Sequence, residues 1–346
     1  MRLRTLIFLS IILSLTIACA IPGSPSKPTE TPVPPTLPPP TKAVVMPTVP
    51  PPPPTAVPQP TMVPVVASPT VPPKPTAPPL PTNTPVPQLG IGSKKTVKPD
   101  NMEMVFVPAG AFRMGGFDDA AAPDEVPTHN VNLSAFWIDK TEVTVAMYTL
   151  CVKAGACKEP VSPNAADFKN YFFDPTYANY PIVNVRWDDA QAYCTWAGRR
   201  LPTEAEWEKA ARGEDTRTYP WGNTPPDQNL ANFNWIRRAP APVGSYPNGA
   251  SPYGALDMAG NVGEWVWDLY KDDYYKESVN TDPKGPATTF RGQARVHRGG
   301  NYQSSASQIR VSKRGFGLAL DPKNPQNYEP AYSSTIGFRC AMSEGK

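Results

Sequence analysis

Two acidic residues flank a glycine-rich stretch of the chain, and together they have the chemistry of a metal site. Asp257 and Glu264 enclose Gly260 and Gly263. Calcium takes roughly six to eight oxygen ligands and accepts backbone carbonyls as well as carboxylates, which a flexible loop can supply. The stretch therefore predicts one structural calcium ion. The alternative is a tight turn whose acids face solvent or pair with arginine.

Histidine, a common ligand of catalytic metals, is scarce in this chain. Of the 2 histidines, His129 lies in a polar segment and His297 directly precedes Arg298. Because a catalytic zinc or non-haem iron site usually needs about three protein ligands, with histidine prominent among them, we expect neither to bind a metal. The chain also lacks a Gly-x-Ser-x-Gly motif and a glycine-rich phosphate loop. These observations argue against a serine hydrolase and a nucleotide-binding enzyme.

Three helices are predicted from their capping residues. The first begins near Thr144, a good N-cap, and ends before Gly155. The second covers about residues 187–197, with two aspartates in its first turn and a glycine as its stop. In the third, Thr203 and Glu206 have the spacing of a capping box, in which each side chain binds the other residue's backbone N–H. We expect the glutamates of this first turn to serve capping rather than catalysis.

Short strands are predicted on either side of these helices. Residues 104–108 and 112–115 have the pattern of strand, turn and strand, and residues 131–133 with 136–138 that of a second strand pair. After Trp221, frequent glycine and proline predict mostly irregular chain with short strands. All 8 tryptophans and all 14 tyrosines follow residue 97. We therefore expect one aromatic-rich α+β domain over residues 97–346.

The first residues have the composition of an export signal. Arg2 and Arg4 precede an apolar run at residues 6–17, which is too short for a membrane-spanning helix of about 20 residues. The run ends at Cys19 in a context that resembles a bacterial lipoprotein signal. We therefore expect residues 1–19 to be a signal peptide and Cys19 to carry the lipid that anchors an outward-facing protein to the cell membrane. The alternative is an ordinary secreted protein, cut nearby.

Residues 20–96 hold most of the 48 prolines, together with threonine and valine and very few charges. Such a composition builds no core and favours extended polyproline II with disorder. We interpret this segment as a disordered tether that holds the following domain away from a membrane. A net charge of +3 over 346 residues provides no basis for binding nucleic acid.

The cysteines of the domain are expected to form disulfides. Four of the 5 cysteines follow the tether, at Cys151, Cys157, Cys194 and Cys340. An even number in an exported domain predicts two disulfides, for which three pairings exist. The alternative for Cys151 and Cys157 is a redox or metal pair, although their spacing is not Cys-x-x-Cys and no histidine lies near them in sequence.

Four short motifs in fixed order carry a family resemblance. They are RRLPTEAEWE at 199–208, GNVGEW at 260–265, RGG at 298–300 and GFRC at 337–340. Together they resemble the formylglycine-generating enzyme (sulfatase-modifying factor) family. The resemblance implies a loop-rich α+β fold, a variant of the C-type lectin fold, for residues 97–346. It also implies a disulfide between Cys194 and Cys340, which leaves Cys151 to pair with Cys157.

The resemblance also assigns candidate site residues. The family positions that bind calcium match Asp257 and Glu264 through side chains, Gly260 and Val262 through carbonyls, and Asn232 and Phe233 at a further position. The segment after Arg298 lies where related members have a variable binding face. Its candidate ligand-binding residues are Tyr302, Gln303, Arg310, Arg314 and Phe316. For Arg298, Arg310 and Arg339 we favour a role as structural ion-pair partners.

The family's own reaction is not expected here. Its enzymes bind copper through two cysteines a few residues after the Arg-Gly-Gly motif, whereas this chain has no cysteine between Arg298 and Cys340. Gly263 also stands where the family has an active-site tryptophan. We therefore predict a membrane-anchored binding module for a protein, peptide or glycan, with structural calcium and without copper. The alternatives are an oxidoreductase that performs formylglycine generation or a related oxidation with altered residues, and a structural or assembly lipoprotein.

Overall fold

The computed structural model describes residues 89–289, 293–319 and 331–345. The predicted signal peptide, Cys19 and the tether up to residue 88 lie outside these described residues. Among the helices that are described, none combines the length and the apolar character required to cross a membrane. Ten strands form three sheets. Their bounds are β1 Lys94–Val97, β2 Met102–Val107, β3 Gly110–Met114, β4 His129–Leu133, β5 Phe136–Asp139, β6 Gly263–Leu269, β7 Ala294–Arg298, β8 Arg314–Leu318, β9 Ile336–Phe338 and β10 Ala341–Ser343.

The first sheet is antiparallel and has the order β1-β2-β5-β10. Phe106 is opposite Trp137 in its centre, and the C-terminal strand β10 closes one edge. The folded part begins earlier than the predicted boundary at residue 97, because β1 starts at Lys94 and pairs with β2 along its whole length. The residues of β1 alternate between exposed and partly buried, and the strand has no strong hydrophobic pattern. Composition alone therefore placed the start of the domain too late.

The second sheet is the hairpin β3–β4. The predicted pairing of residues 131–133 with 136–138 is wrong, since β4 pairs with β3 whereas β5 pairs with β2 and β10. Burial explains the difference. All four residues of β5 are buried, as expected for a central strand with neighbours on both sides, whereas β4 alternates between buried and exposed residues in its second half.

The third sheet has the order β8-β7-β6-β9. β7 is antiparallel to both β6 and β8, while β9 lies parallel to β6. This sheet brings together chain segments that lie far apart in sequence, and it carries three of the four family motifs. The predicted mixture of irregular chain and short strands after Trp221 is confirmed.

The three predicted helices are confirmed as α1 Val145–Lys153, α2 Trp187–Trp196 and α3 Glu204–Arg212. The Thr144 hydroxyl caps α1 by accepting a hydrogen bond from the Met147 amide at 3.2 Å. In α3, the Thr203 hydroxyl accepts from the Glu206 amide at 3.2 Å, and the Glu206 carboxylate accepts from the Thr203 amide at 2.8 Å. These caps satisfy backbone donors that a helix leaves without partners.

Two disulfides stabilise this arrangement, and both expected pairings are confirmed. Cys194 of α2 is bonded to Cys340, directly before β10, across 146 residues of chain. Cys151 is bonded to Cys157 at the end of α1, across 6 residues. Cys151, Cys194 and Cys340 are completely buried within the larger hydrophobic core. The redox or metal alternative for Cys151 and Cys157 has no support in the bonded pair.

The two disulfides should differ in their contribution to stability. A cross-link that closes a longer loop removes more conformational entropy from the unfolded chain. We expect Cys194→Ala with Cys340→Ala to lower the free energy of unfolding by about 5 kcal/mol, and Cys151→Ala with Cys157→Ala by about 2 kcal/mol. Guanidinium titration without reductant measures both values. Equal losses, or a larger loss for the local pair, would contradict this entropic account.

Candidate functional site

The family motifs meet at the centre of the third sheet. Glu264 of β6 is opposite Arg298 of β7 on one side and Gly337 of β9 on the other. Helix α3 packs against the same strands through Trp207, which is completely buried. The Trp207 indole nitrogen donates to the Glu264 carboxylate at 2.8 Å. All four motifs therefore contact one another in the interior.

Buried ion pairs connect α3 to the third sheet. Glu204 accepts hydrogen bonds from Arg298 at 2.7 Å and from Arg314 at 2.8 Å, and Glu208 pairs with both Arg298 and Arg212. Burial raises the pKa of Glu204, but the nearby Arg314 and Arg298 outweigh burial and hold this pKa below its ordinary value. The expected structural role of Arg298 is confirmed. Glu204 does more than cap a helix, because its carboxylate balances two buried guanidinium groups.

Glu264 belongs to this ion-pair system and not to an open metal loop. Its two carboxylate oxygens accept hydrogen bonds from Arg339 at 2.6 and 2.8 Å, and one of them also accepts from Trp207. Both side chains of the Glu264–Arg339 pair are fully buried. Glu264, which we expected to bind calcium, is therefore paired with an arginine. The alternative interpretation of the loop predicted such a pairing.

Asp257 faces a different acidic partner. Its carboxylate accepts a hydrogen bond from the Gly244 amide at 2.6 Å, and it lies close enough to the Glu142 carboxyl group for the two to interact electrostatically. Burial, followed by the charge of Asp257, raises the pKa of Glu142 well above its ordinary value, and burial also raises the pKa of Asp257. Sequence reasoning missed Glu142, since it lies 115 positions before Asp257 and follows a different strand.

Several oxygens close to this carboxyl pair are buried. Glu142 accepts from the Asn261 side-chain amide at 3.0 Å through one oxygen, while its second oxygen has no hydrogen-bond partner among the described residues. Asn232 is buried, donates to the Ala239 carbonyl at 2.9 Å and to Asn261, and its side-chain oxygen also lacks a partner within the described ranges. Buried oxygens without partners are the groups that a bound cation would satisfy.

The other predicted calcium residues occupy the surrounding loop. Gly260 has a φ of +79°, and a Cβ atom there would lie 2.4 Å from the Asn232 carbonyl oxygen, so only glycine is accommodated. The Val262 side chain lies in the larger core. Phe233 packs beside Ile309, and its carbonyl accepts from the Ile236 amide at 3.0 Å. Within the described ranges, no group of three or more His, Cys, Asp or Glu side chains is placed to hold a metal.

The expected ligand-binding face is mostly internal. Tyr302 and Arg314 are buried, and Arg310 forms a buried bidentate pair with Glu125, whose oxygens lie 2.8 and 2.9 Å away. Tyr302 and Arg314 are therefore corrected from surface positions to structural ones, because each has partners inside the domain. For Arg310 the favoured role as a structural ion-pair partner is confirmed. Gln303 is partly exposed, and Phe316 is 39% exposed while it stacks on Tyr270.

Gly263, at the position of the family tryptophan, lies beside His297 and the Gly300 backbone. A Cβ atom on Gly263 would lie 3.4 Å from both the Gly300 carbonyl oxygen and the His297 ring nitrogen. The His297 ring packs edge-on against Trp265 and directly over Gly315, where a Cβ atom would lie 2.2 Å from the ring. Burial and then the charge of Arg298 lower the pKa of His297 to about 4. His129 lies in the other hairpin, on β4, and contacts Tyr275.

The fold and the four motifs place this domain in a class of loop-rich α+β proteins. Its similarity to known proteins over the whole domain identifies the family. Residues 92–344 match the model of the Sulfatase-modifying factor enzyme 1-like domain. The chain belongs to this family, as its motifs predicted. It is 35% identical over 297 aligned residues to a formylglycine-generating enzyme from Thermomonospora curvata, which covers 69% of this chain and 92% of the relative.

Other relatives have different names. A serine/threonine-protein kinase pkn1 from Chlamydia caviae is 36% identical over 263 residues, which cover 72% of this chain and 39% of the kinase. The chain therefore spans about two-fifths of the length of the chlamydial relatives that it matches. Hercynine oxygenase from Mycolicibacterium smegmatis is 32% identical over 61% of this chain and 57% of its own length.

Solved structures share the fold. PvdO from Pseudomonas aeruginosa superposes with a TM-score of 0.59 at 26% identity and covers 74% of this chain and 100% of its own. Treponema denticola variable protein 1 gives a TM-score of 0.55 at 24% identity over 72% of this chain and 98% of its own, which shows a common fold alone. The predicted loop-rich α+β fold of this family is confirmed.

His297 should make stability depend on pH. Its folded-state pKa of about 4 lies below the ordinary value of 6.5. Between these two pH values His297 is therefore protonated in the unfolded chain and neutral in the folded chain. As the pH falls from 6.5 towards 4, we expect this residue to lower the free energy of unfolding by up to about 3 kcal/mol. His297→Gln should remove that part of the slope in urea titrations across this pH range. The matched control His129→Gln should keep it, and an unchanged slope for His297→Gln would contradict the assignment.

Proposed function

We propose that the domain is a ligand-binding module that does not generate formylglycine. The observation that carries this proposal is the state of its cysteines. All four in the domain form disulfides, and none lies in the segment between Arg298 and Cys340, where the family's enzymes have their copper ligands. Copper(I) requires soft thiolate ligands. The residues present in this segment do not fit such an ion.

The contents of that segment support the same proposal. Its arginines serve the structure, since Arg310 pairs with Glu125 and Arg314 with Glu204, both inside the domain. Gly263, at the position of the family's active-site tryptophan, has His297 and Gly300 within contact distance of any added side chain. The framework of the family is thus kept, while the groups that the family's reaction uses are replaced.

We further propose that the domain acts outside the cytoplasm, on a lipid at Cys19 and a proline-rich tether. Two disulfides are typical of a protein that folds in an oxidising compartment. A lipid chain contributes about 0.8 kcal/mol per buried CH₂ group, so an anchor with several acyl chains holds firmly. The tether lets a binding domain reach ligands at a distance from the membrane.

An oxidase that uses altered residues is the second candidate. Its support is the similarity to a formylglycine-generating enzyme and to hercynine oxygenase, at 35% and 32% identity. Such an enzyme would need redox chemistry from groups other than a thiol pair after Arg298. The two candidates differ in one observable, which is the oxidation of a substrate.

A peptide assay separates these candidates. We expect the purified protein, supplied with copper(I) and oxygen, to leave a sulfatase-type cysteine peptide unchanged, because it offers copper no thiolate pair. Mass spectrometry of the peptide measures the conversion of cysteine to formylglycine. The Thermomonospora curvata relative serves as the positive control. Conversion by this protein with its disulfides intact would refute the proposal and establish the oxidase.

We also propose that the domain holds one structural calcium ion beside Asp257. The support is the pair of buried carboxyl groups of Asp257 and Glu142, together with the buried Asn232 oxygen, which has no partner in the described part of the chain. Burial is the main cause that raises both pKa values, and a divalent cation would offset the cost of burying the two charged carboxylates. The carbonyls of Gly260 and Val262 complete the proposed ligand set. Relative to the expected set, Glu142 replaces Glu264, since Arg339 neutralises Glu264.

Calcium should therefore stabilise the fold. At a concentration about 100-fold above its dissociation constant, a bound ion adds about 2.7 kcal/mol, which for a domain of this size raises Tm by roughly 5–10 °C. Differential scanning calorimetry in calcium and in EGTA measures the difference. Glu142→Gln should abolish the increment, because it keeps the shape of the carboxyl group but removes its charge. Equal Tm values for the unaltered protein in the two buffers would exclude the ion.

A further inference from the structure

One segment of the domain exposes large side chains without interruption. We call residues 234–238 the Trp235 loop, which consists of Asn234, Trp235, Ile236, Arg237 and Arg238. All five residues are exposed, including Trp235 at 51% and Ile236 at 44%. Scattered single apolar residues are common on protein surfaces, but an exposed tryptophan beside an exposed isoleucine and two arginines forms a patch that often has a binding role.

The backbone of this loop is strained. Asn234, Trp235 and Arg238 have φ values of +49°, +60° and +59°. Asparagine adopts this left-handed conformation readily, whereas bulky side chains such as tryptophan rarely do. Strained positions persist where the surrounding structure enforces them, and they concentrate at ligand sites. Glycine or asparagine would be less strained at position 235, so the tryptophan carries a local conformational cost.

Hydrogen bonds fix the loop to the segment that follows the Arg-Gly-Gly motif. The Asn234 amide donates to the Ser304 carbonyl at 2.8 Å, and the Trp235 amide donates to the Tyr302 carbonyl at 2.7 Å. The Trp235 ring meets the buried Tyr302 ring edge-on, with centroids 5.9 Å apart. Tyr302 in turn donates its amide to the Asn261 carbonyl at 2.9 Å. The exposed indole is therefore held in place, which lowers the entropic cost of binding.

The polar groups around the indole define the ligand that suits it. Arg237 donates to the Tyr246 hydroxyl at 2.9 Å, and within the described ranges neither Arg237 nor Arg238 forms an ion pair. The adjoining segment carries four uncharged polar side chains that are exposed or partly exposed, namely Gln303, Ser305, Ser307 and Gln308. Gln303 donates to the Tyr302 hydroxyl, and the other three hydrogen-bond one another, which in the part of the chain that the structure describes leaves the Gln303 oxygen and the Gln308 nitrogen for a ligand. The patch thus combines a flat apolar ring, two guanidinium groups and several amides and hydroxyls.

We propose that the Trp235 loop binds an acidic polysaccharide, an inference that rests on the proposed binding function and names its ligand class. The apolar face of a sugar ring stacks on the Trp235 indole, carboxylate groups of the chain pair with Arg237 and Arg238, and the amides and hydroxyls of residues 303–308 bind sugar hydroxyls. An acidic peptide would use the arginines equally well. Its side chains would present fewer hydroxyl groups than a sugar chain to the amides and hydroxyls of residues 303–308.

Binding of polygalacturonate to the purified protein tests the proposal. We expect measurable affinity by isothermal titration calorimetry and a loss of affinity as NaCl rises. Trp235→Asn should weaken binding roughly tenfold or more, because asparagine keeps the left-handed backbone but removes the ring. Trp235→Tyr, which restores an aromatic face, should recover part of the affinity. Arg237→Gln with Arg238→Gln should weaken binding and flatten its salt dependence.

Control ligands and a matched control variant make the outcome decisive. Phe173→Ala removes an aromatic side chain that is 53% exposed elsewhere on the domain, and it should leave the affinity unchanged. Neutral dextran should bind weakly or not at all. The proposal is overturned if the unaltered protein does not bind polygalacturonate, or if Trp235→Asn binds it as tightly while its Tm shows an intact fold. Binding of polyglutamate alone through Trp235 would also overturn it, yet would leave the binding function standing. Failure of the binding function itself appears separately, as formylglycine in the peptide assay.

Discussion

The structure depends on carboxylates and guanidinium groups that are buried together between α3 and the third sheet. Glu204 and Glu208 of the helix face Arg298 and Arg314 of the strands, and Glu264 faces Arg339. Removing such groups from water costs several kcal/mol each, and the cost is offset only when every partner is in place. The helix and the strands β6, β7, β8 and β9 must therefore assemble as one unit, and this unit contains residues of all four motifs.

This dependence separates the framework from the surface that it carries. The ion pairs use the motif residues themselves, so the presence of those motifs reports the fold and says little about chemistry at the surface. The segment after Arg298 illustrates the point. Arg298 at its start and Arg314 further along form ion pairs in the interior. Between these arginines, residues 303–308 present amides and hydroxyls to solvent, and the segment has no thiol pair. The framework of the family therefore does not by itself determine the chemistry at its surface.

One buried asparagine links the two proposed sites. The Asn261 side chain contacts Glu142 and Asn232 beside the proposed calcium, and its backbone carbonyl accepts the amide of Tyr302, on which the Trp235 ring rests. Asn261 itself has a φ of +52°, within a loop whose Gly260 tolerates no side chain. A cation that neutralises Glu142 would stabilise the loop that supports the exposed indole. Asn261 thus contacts both the buried Glu142 carboxyl group and the segment that supports the exposed indole.

Local interactions were readable from the residues themselves, whereas interactions between distant segments were readable only where the family resemblance supplied them. Thr144, Thr203 and Glu206 predicted their helices correctly, because a cap is decided within a few residues. The family motifs predicted the fold and the Cys194–Cys340 disulfide. Tertiary structure alone decided that β4 and β5 join different sheets, that Arg310 meets Glu125 185 positions away, and that Arg339 takes Glu264 from the expected calcium set. Strand partners and buried charge partners depend on which segments meet after folding, and residue spacing along the chain carries no record of that choice.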